Sequence, residues 1–340
     1  MSTPKRSSSR FWTLVRSVVG VVLALFLVHR VVAQANINLA DEFRTCIPGW
    51  LVLALALMLV GLGLSSYRWL QLLRVQSILI SRWDCLCLTM IGTFFNMLIP
   101  GGVGGDVVKM AYIRKLVGPK APEAIVSILV DRILGLLGLF STAIVAVLLT
   151  LNFLRHVSHD LKVVVATVTC IAGCGALAMA LAAGHDLVVR LPGIRHLVEA
   201  VGPRLPGPIR HIIARVVGAM NVYRRAGGTI LWALVVSMCI HTLTALAVFC
   251  IGVAFHATRI TFPIYVLATS MANTISAIPL TPGGIGPRDV VMRAFFEAAG
   301  EGSRASVIPP VFSMVFLVMG LIGGLFLLYE SKHNPLPPEA

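Results

Sequence analysis

Apolar positions along this chain come in blocks rather than at the spacing of an amphipathic surface helix or strand. Nearly continuous apolar runs cover 11–35, 47–67, 124–151, 162–184, 228–255 and 305–329. At 1.5 Å of rise per helical residue each run is long enough to cross a hydrocarbon core of about 30 Å. The pattern therefore predicts six full transmembrane helices. Two further apolar blocks, about 83–103 and 262–287, end in Pro-Gly-Gly turns. Proline and glycine break a helix, and broken backbone at membrane depth survives only inside protein or beside a cavity. Each of these blocks is therefore expected to be a re-entrant hairpin or a discontinuous helix.

The two broken segments resemble each other. Pro100-Gly-Gly-Val-Gly-Gly-Asp-Val-Val-Lys-Met-Ala-Tyr112 aligns, with one inserted residue, to Pro282-Gly-Gly-Ile-Gly-Pro-Arg-Asp-Val-Val-Met-Arg-Ala-Phe295, with eight identities. Glycine-interrupted segments at corresponding places in two halves point to a transport site between pseudo-repeats. Three crossings separate them, so if both are re-entrant they enter from opposite leaflets, and their tips are expected to meet near the midplane.

Charge sets the orientation. With neither broken segment crossing, the loops on the amino-terminal side hold eighteen Lys and Arg, Arg68, Arg74 and Lys109 among them, and the opposite loops hold seven. The positive-inside rule then places both termini in the cytoplasm. The segments outside the membrane are a basic tail at 1–10, a tail at 331–340 and an arginine-rich loop at about 185–228. The second part of that loop carries Ile209, Ile212, Ile213, Val216, Val217 and Met220 on one helical face, which suits a helix lying in the headgroup layer or a plain solvated loop. Ala33-Gln-Ala35 has the form of a cleavage site, but His29 and Arg30 interrupt the approach to it, and the first run reads as a retained helix.

Composition agrees with the block pattern. The chain has 340 residues, 57% of them hydrophobic and 12% charged, with a net charge of +14. Soluble domains carry about twice that charged fraction, so the chain reads as an all-α polytopic membrane protein. The excess charge sits between apolar spans, which implies contact with anionic lipid and excludes a nucleic-acid partner. Seven cysteines lie mostly in apolar runs and behave as small hydrophobes. No metal-ligand spacing, nucleophile-base pair or dinucleotide fingerprint in a strand-turn-helix context is present, so neither an enzyme, a metal nor a cofactor is expected.

The candidate chemistry is intramembrane charge and exposed backbone. A helix starting after a glycine turn offers unpaired N–H groups and a positive dipole end, which suit a phosphate, or the glycines serve only close helix packing. Asp131-Arg132 falls about eight residues into the apolar run at 124–151, roughly 12 Å from its start. Ionisable groups at that depth face a cavity or a partner. Arg132 either binds a lipid phosphate in bidentate fashion with Asp131 orienting it, or is locked to Asp106 or Asp131 as a structural ion pair. Asn96, Ser270, Asn273 and Thr274 line the same cavity or bond across helices, His241 reads as a satisfied interior histidine, and Arg16 and Arg30 snorkel from the first helix.

Three ordered stretches, Phe94–Asp106, Ser127–Leu136 and Pro279–Asp289, resemble the flippase-like membrane domain of lysylphosphatidylglycerol synthases and its stand-alone relatives, over about residues 11–330. The resemblance implies a single domain at 11–330 with broken-helix motifs at about 83–106 and 262–289, which moves phospholipid or lipid-linked head groups between leaflets. The positions that match the family's motifs are Asn96, Pro100, Gly101, Gly102, Gly104, Gly105, Asp106, Asp131, Arg132, Pro282, Gly283, Gly284, Gly286, Arg288 and Asp289. Relatives usually carry Glu where this chain has Asp289. The soluble aminoacyl-transferring domain of the full synthases is absent from the sequence, so lysyl transfer is not expected. The function expected is translocation of an anionic phospholipid or lipid-linked phosphate across the cytoplasmic membrane. The alternatives are an accessory protein that holds a glycosyltransferase or other lipid-modifying enzyme at the membrane, and an integral-membrane transferase acting on a polyprenyl phosphate.

Overall fold

The computed structural model describes residues 39–98, 104–183, 218, 221–223, 225–276 and 284–333. The first apolar run, most of the arginine-rich loop, both Pro-Gly-Gly turns (through Gly283 in the second) and both tails lie outside the described residues. Those described are helical, with no strand among them. In chain order the helices are α1 (Leu39–Thr45), α2 (Pro48–Val75), α3 (Arg82–Leu98), α4 (Gly104–Val117), α5 (Ala121–Leu149), α6 (Leu151–His156), α7 (His159–Ala183), α8 (Gly227–Ala254), α9 (Phe262–Ser276), α10 (Pro287–Ala298) and α11 (Ile308–His333). Short 3-10 turns at Gly118–Lys120 and Gly302–Ser306 join α4 to α5 and α10 to α11. Four helical stretches among the described residues, those holding α2, α5, α8 and α11, are long and apolar enough to cross a membrane, and α7 covers the predicted run at 162–184.

The two halves share one plan: a long helix, a hairpin of two shorter helices, then another long helix. The arms of the hairpins have 17 and 14 residues in the first half and 15 and 12 in the second, or roughly 18 to 25 Å of helix. None reaches across a core of about 30 Å, so each chain segment must turn back within the membrane.

In the first hairpin Gly105 of α4 lies on Gly92 of α3 so closely that a Cβ at Gly105 would overlap the Gly92 carbonyl. Nearer the base, Cys85 and Ile113 share one buried cluster. In the second, Ser276 at the end of α9 fills the space that a Cβ at Gly284 would need, and Tyr265 stacks on Phe296 at 5.0 Å nearer the base. Gly284 and Gly286 have φ of 71° and 100°, a region that side-chain-bearing residues avoid, so the return into α10 requires glycine.

The hairpins enter from opposite ends. Helices α2 and α8 run antiparallel: the Ile47 N–H donates to the Ala254 carbonyl at 3.0 Å, and at the other end the Tyr223 hydroxyl donates to the Leu72 carbonyl at 2.9 Å. The first hairpin is rooted where α2 ends, with Lys120 Nζ donating to the Ser77 carbonyl at 2.7 Å. The second is rooted where α8 ends, with Arg304 Nη1 donating to the His256 carbonyl at 2.7 Å. Met97 and Ile285, which flank the two tips, fall in one small buried cluster with Phe94 and Leu317. This is the inverted arrangement that the repeated motif predicts.

Each half also borrows from the other. Helix α11 covers α3, where Gly323 lets the chain approach the Met90 carbonyl and Gly324 lies against the Phe94 ring, and α5 packs on α9 in the reciprocal position.

Candidate functional site

The chemistry sits where α2, α4, α5 and α8 converge. Helix α2 is longer than the apolar run predicts. The polar patch Ser65-Ser66-Tyr67-Arg68 marks a loop in the sequence, yet the helix continues for two turns because Trp69, Leu70, Leu72 and Leu73 are all buried. Arg68 is therefore not a loop residue. Its side chain is 6% exposed and its Nε donates to Asp131 Oδ1 at 2.7 Å, with the carboxylate 13% exposed. Its Nη1 donates to Ser237 Oγ at 2.5 Å, and that hydroxyl donates in turn to the Ala233 carbonyl at 2.7 Å. One guanidinium thus ties α2 to α5 and α8, across the two halves. His241 of α8 bonds the Gly135 carbonyl at 3.0 Å as a satisfied interior histidine.

Asp131 is therefore engaged by Arg68, and Arg132 takes the other acid. Arg132 Nε donates to Asp106 Oδ2 at 2.7 Å, and Nη2 approaches the same oxygen at 2.5 Å. Helices α4 and α5 fold back at the Gly118–Lys120 turn, which sets these two residues at matching depth. Measured along α5 from Ala121, that depth is about 16 Å. Arg132 is 42% exposed and shares its face of α5 with the exposed Leu129 and Ile133, while Asp106 is 14% exposed. Of the partners the sequence leaves open for Arg132, the structure shows Asp106, with the guanidinium opening onto an accessible face; the enclosed guanidinium is that of Arg68. Lys109, also counted as a loop residue, lies one turn beyond Asp106 on α4 with Nζ 5.0 Å from the centroid of the Trp69 ring.

The glycine tip is braced by Asn96, whose Oδ1 accepts the Gly105 N–H at 2.8 Å. Gly104 and Gly105 are buried at the start of α4. Gly101, Gly102 and Gly283 lie outside the described residues. Ser270, Asn273 and Thr274 lie on α9, where the Thr274 hydroxyl donates to the Ser270 carbonyl at 2.9 Å within the helix.

The second half repeats the acid but not its environment. Asp289 Oδ2 accepts the Gly286 N–H at 3.3 Å, and both carboxylate oxygens lie within 2.9 and 3.0 Å of the Ser313 hydroxyl of α11. In each half the acid after the glycines reaches a polar residue of the next long helix, 26 positions on in the first half and 24 in the second. Here the cation sits on the hairpin itself. Arg288 is 3% exposed, donates from Nη2 to Ser313 Oγ at 2.5 Å, and stacks on Phe312 and Phe316 at 4.6 and 5.4 Å from their ring centroids. A desolvated guanidinium between two rings gains about 2 kcal/mol, so this corner is sealed. At this corner the first half presents the accessible Arg132, and the second presents the buried Arg288.

Inverted halves of long apolar helices, each with a hairpin of shorter helices, define an all-α multi-pass membrane protein. The chain belongs to the family of the lysylphosphatidylglycerol synthase transmembrane region, whose model matches residues 13–325. It is 24% identical over 295 residues to a UPF0104 membrane protein of Methanothermobacter thermautotrophicus, covering 85% of this chain and 86% of that one. It is 24% identical over 331 residues to a UPF0104 membrane protein of Pyrococcus horikoshii, covering 93% and 96%. No solved structure matches it.

Proposed function

We propose that this protein is a lipid translocase that moves an anionic phospholipid or a lipid-linked phosphate across the cytoplasmic membrane, with both termini in the cytoplasm. The observation that carries this reading is the meeting of two hairpins, rooted at opposite ends of the bundle, beside a guanidinium that remains accessible at membrane depth. An Arg at membrane depth is costly unless an anion answers it; Asp106 does so at rest, and a phosphate passing along that face can do so in bidentate geometry. Arg68 and Arg288 hold the framework, and Arg132 makes the contact.

Reconstitution in liposomes carrying a labelled phosphatidylglycerol tests the reading. Wild type moves the label between leaflets, Arg132→Ala slows it at least tenfold, and Gly173→Ala, where an added Cβ meets nothing, leaves it unchanged. Equal rates for wild type and Arg132→Ala refute it. A folded wild type that moves no lipid favours the accessory-protein alternative.

A further inference from the structure

We infer that Asp106 is a resident stand-in for the phosphate of the head group, so that anion binding at Arg132 and release of the first hairpin from α5 are one event. The inference rests on the translocase reading for its biological meaning, but its geometry stands on its own. Arg132 meets Asp106 at Oδ2, with Nε at 2.7 Å and Nη2 at 2.5 Å. A phosphate offers a guanidinium the same planar pair of acceptor oxygens as a carboxylate, so either anion fits this cation. The carboxylate is largely covered while the guanidinium is 42% exposed, so an incoming anion reaches the cation from the open face shared with Leu129 and Ile133.

The rest of the charge set favours exchange. Arg68 already neutralises Asp131, and Lys109 on the same arm as Asp106 lies over Trp69. Asp106, displaced from Arg132, still has the Lys109 side chain one helical turn away on α4. The second half shows what a locked version looks like: Asp289 has donors on both oxygens, and its arginine is buried between two rings. By this comparison the first hairpin is the element that moves, and the second is the fixed abutment.

The test is equilibrium binding of dihexanoyl phosphatidylglycerol and, in a separate arm, inorganic phosphate to the full chain in detergent. Removing the internal competitor in Asp106→Asn is expected to tighten binding about fivefold, the size of a modest ion pair. Arg132→Gln abolishes binding, and the double variant binds no better than Arg132→Gln alone. A merely structural Asp106 would not raise affinity on removal; unchanged or weaker binding by a folded Asp106→Asn overturns the inference. Should that variant not fold, ligand-induced difference infrared spectra of the wild type decide the matter. A carboxylate band that changes on binding and moves in Asp106→Glu supports displacement, and a silent carboxylate region refutes it. Tighter binding of the lipid alone assigns the site to a head group, and equal gains for both probes assign it to phosphate generally. These are binding readouts, so they hold or fail independently of lipid movement in liposomes.

Discussion

Breaking the Arg68–Asp131 pair should cost far more than deleting it. Arg68 is 6% exposed and Asp131 13%, so Asp131→Leu leaves a guanidinium in the interior that has lost its carboxylate and keeps Ser237 as its side-chain partner among the described residues. Losing one member of a buried pair costs about 3–5 kcal/mol, because the remaining charge is uncompensated. Arg68→Leu strands the carboxylate by the same reasoning. In the double variant Arg68→Leu/Asp131→Leu no charge remains, and the Ser237 hydroxyl still donates to the Ala233 carbonyl. Replacing a buried pair with apolar residues is often neutral or stabilising. The double variant should therefore recover most of the loss, to within about 1 kcal/mol of wild type. Thermal unfolding in detergent reads this as a midpoint drop on the order of 10 °C for each single variant and a small shift for the double. A double variant as unstable as the sum of the singles would refute the reasoning, since it would mean that the pair contributes net stability beyond mutual neutralisation.

Gly105→Ala should force the arms of the first hairpin apart, since its Cβ would overlap the Gly92 carbonyl; a loss of about 1–3 kcal/mol against an unaffected Gly173→Ala, by thermal unfolding, is the expected result. Tyr265→Phe should be neutral or stabilising by about 1 kcal/mol, because the buried Tyr265 hydroxyl has no hydrogen-bond partner among the described residues; destabilisation of that size would reveal one. Arg288→Lys should destabilise by about 2 kcal/mol, since an ammonium cannot both stack between Phe312 and Phe316 and reach Ser313, yet leave phosphate binding near wild type. If that variant binds phosphate an order of magnitude more weakly, the second half shares the anion site.

Much of this architecture is legible in the residues. Pro-Gly-Gly after an apolar block marks both turns, because no uninterrupted helix accommodates it, and the repeat of Asp-Val-Val behind each turn announces two related hairpins. The parity of the spans gives their inverted sense. Asp131-Arg132 stands out because two charges inside an apolar run need partners. What the residues do not disclose is which partner. Arg68 and Asp131 are separated by 63 positions, and Ser237 lies 169 from Arg68. Arg68 follows two serines and a tyrosine, so it reads as the end of a span, and only the burial of Trp69, Leu70, Leu72 and Leu73 reveals that the helix carries on. Ser313 gives no signal at all, being one hydroxyl in an apolar helix whose role depends on Asp289 and Arg288 arriving beside it.

The reciprocal covering of each hairpin by the last helix of the opposite half bears on how the protein is made. Helix α3 leaves the ribosome roughly 200 residues before α11, which at about 10 residues per second is on the order of 20 s of synthesis. Through that interval the Met90 and Phe94 side of α3 waits without its final neighbour. Only when Gly323 and Gly324 arrive does the amino-terminal half become complete. A chain cut short after α10 would thus present the membrane's quality-control proteases with an unfinished surface far upstream of the cut.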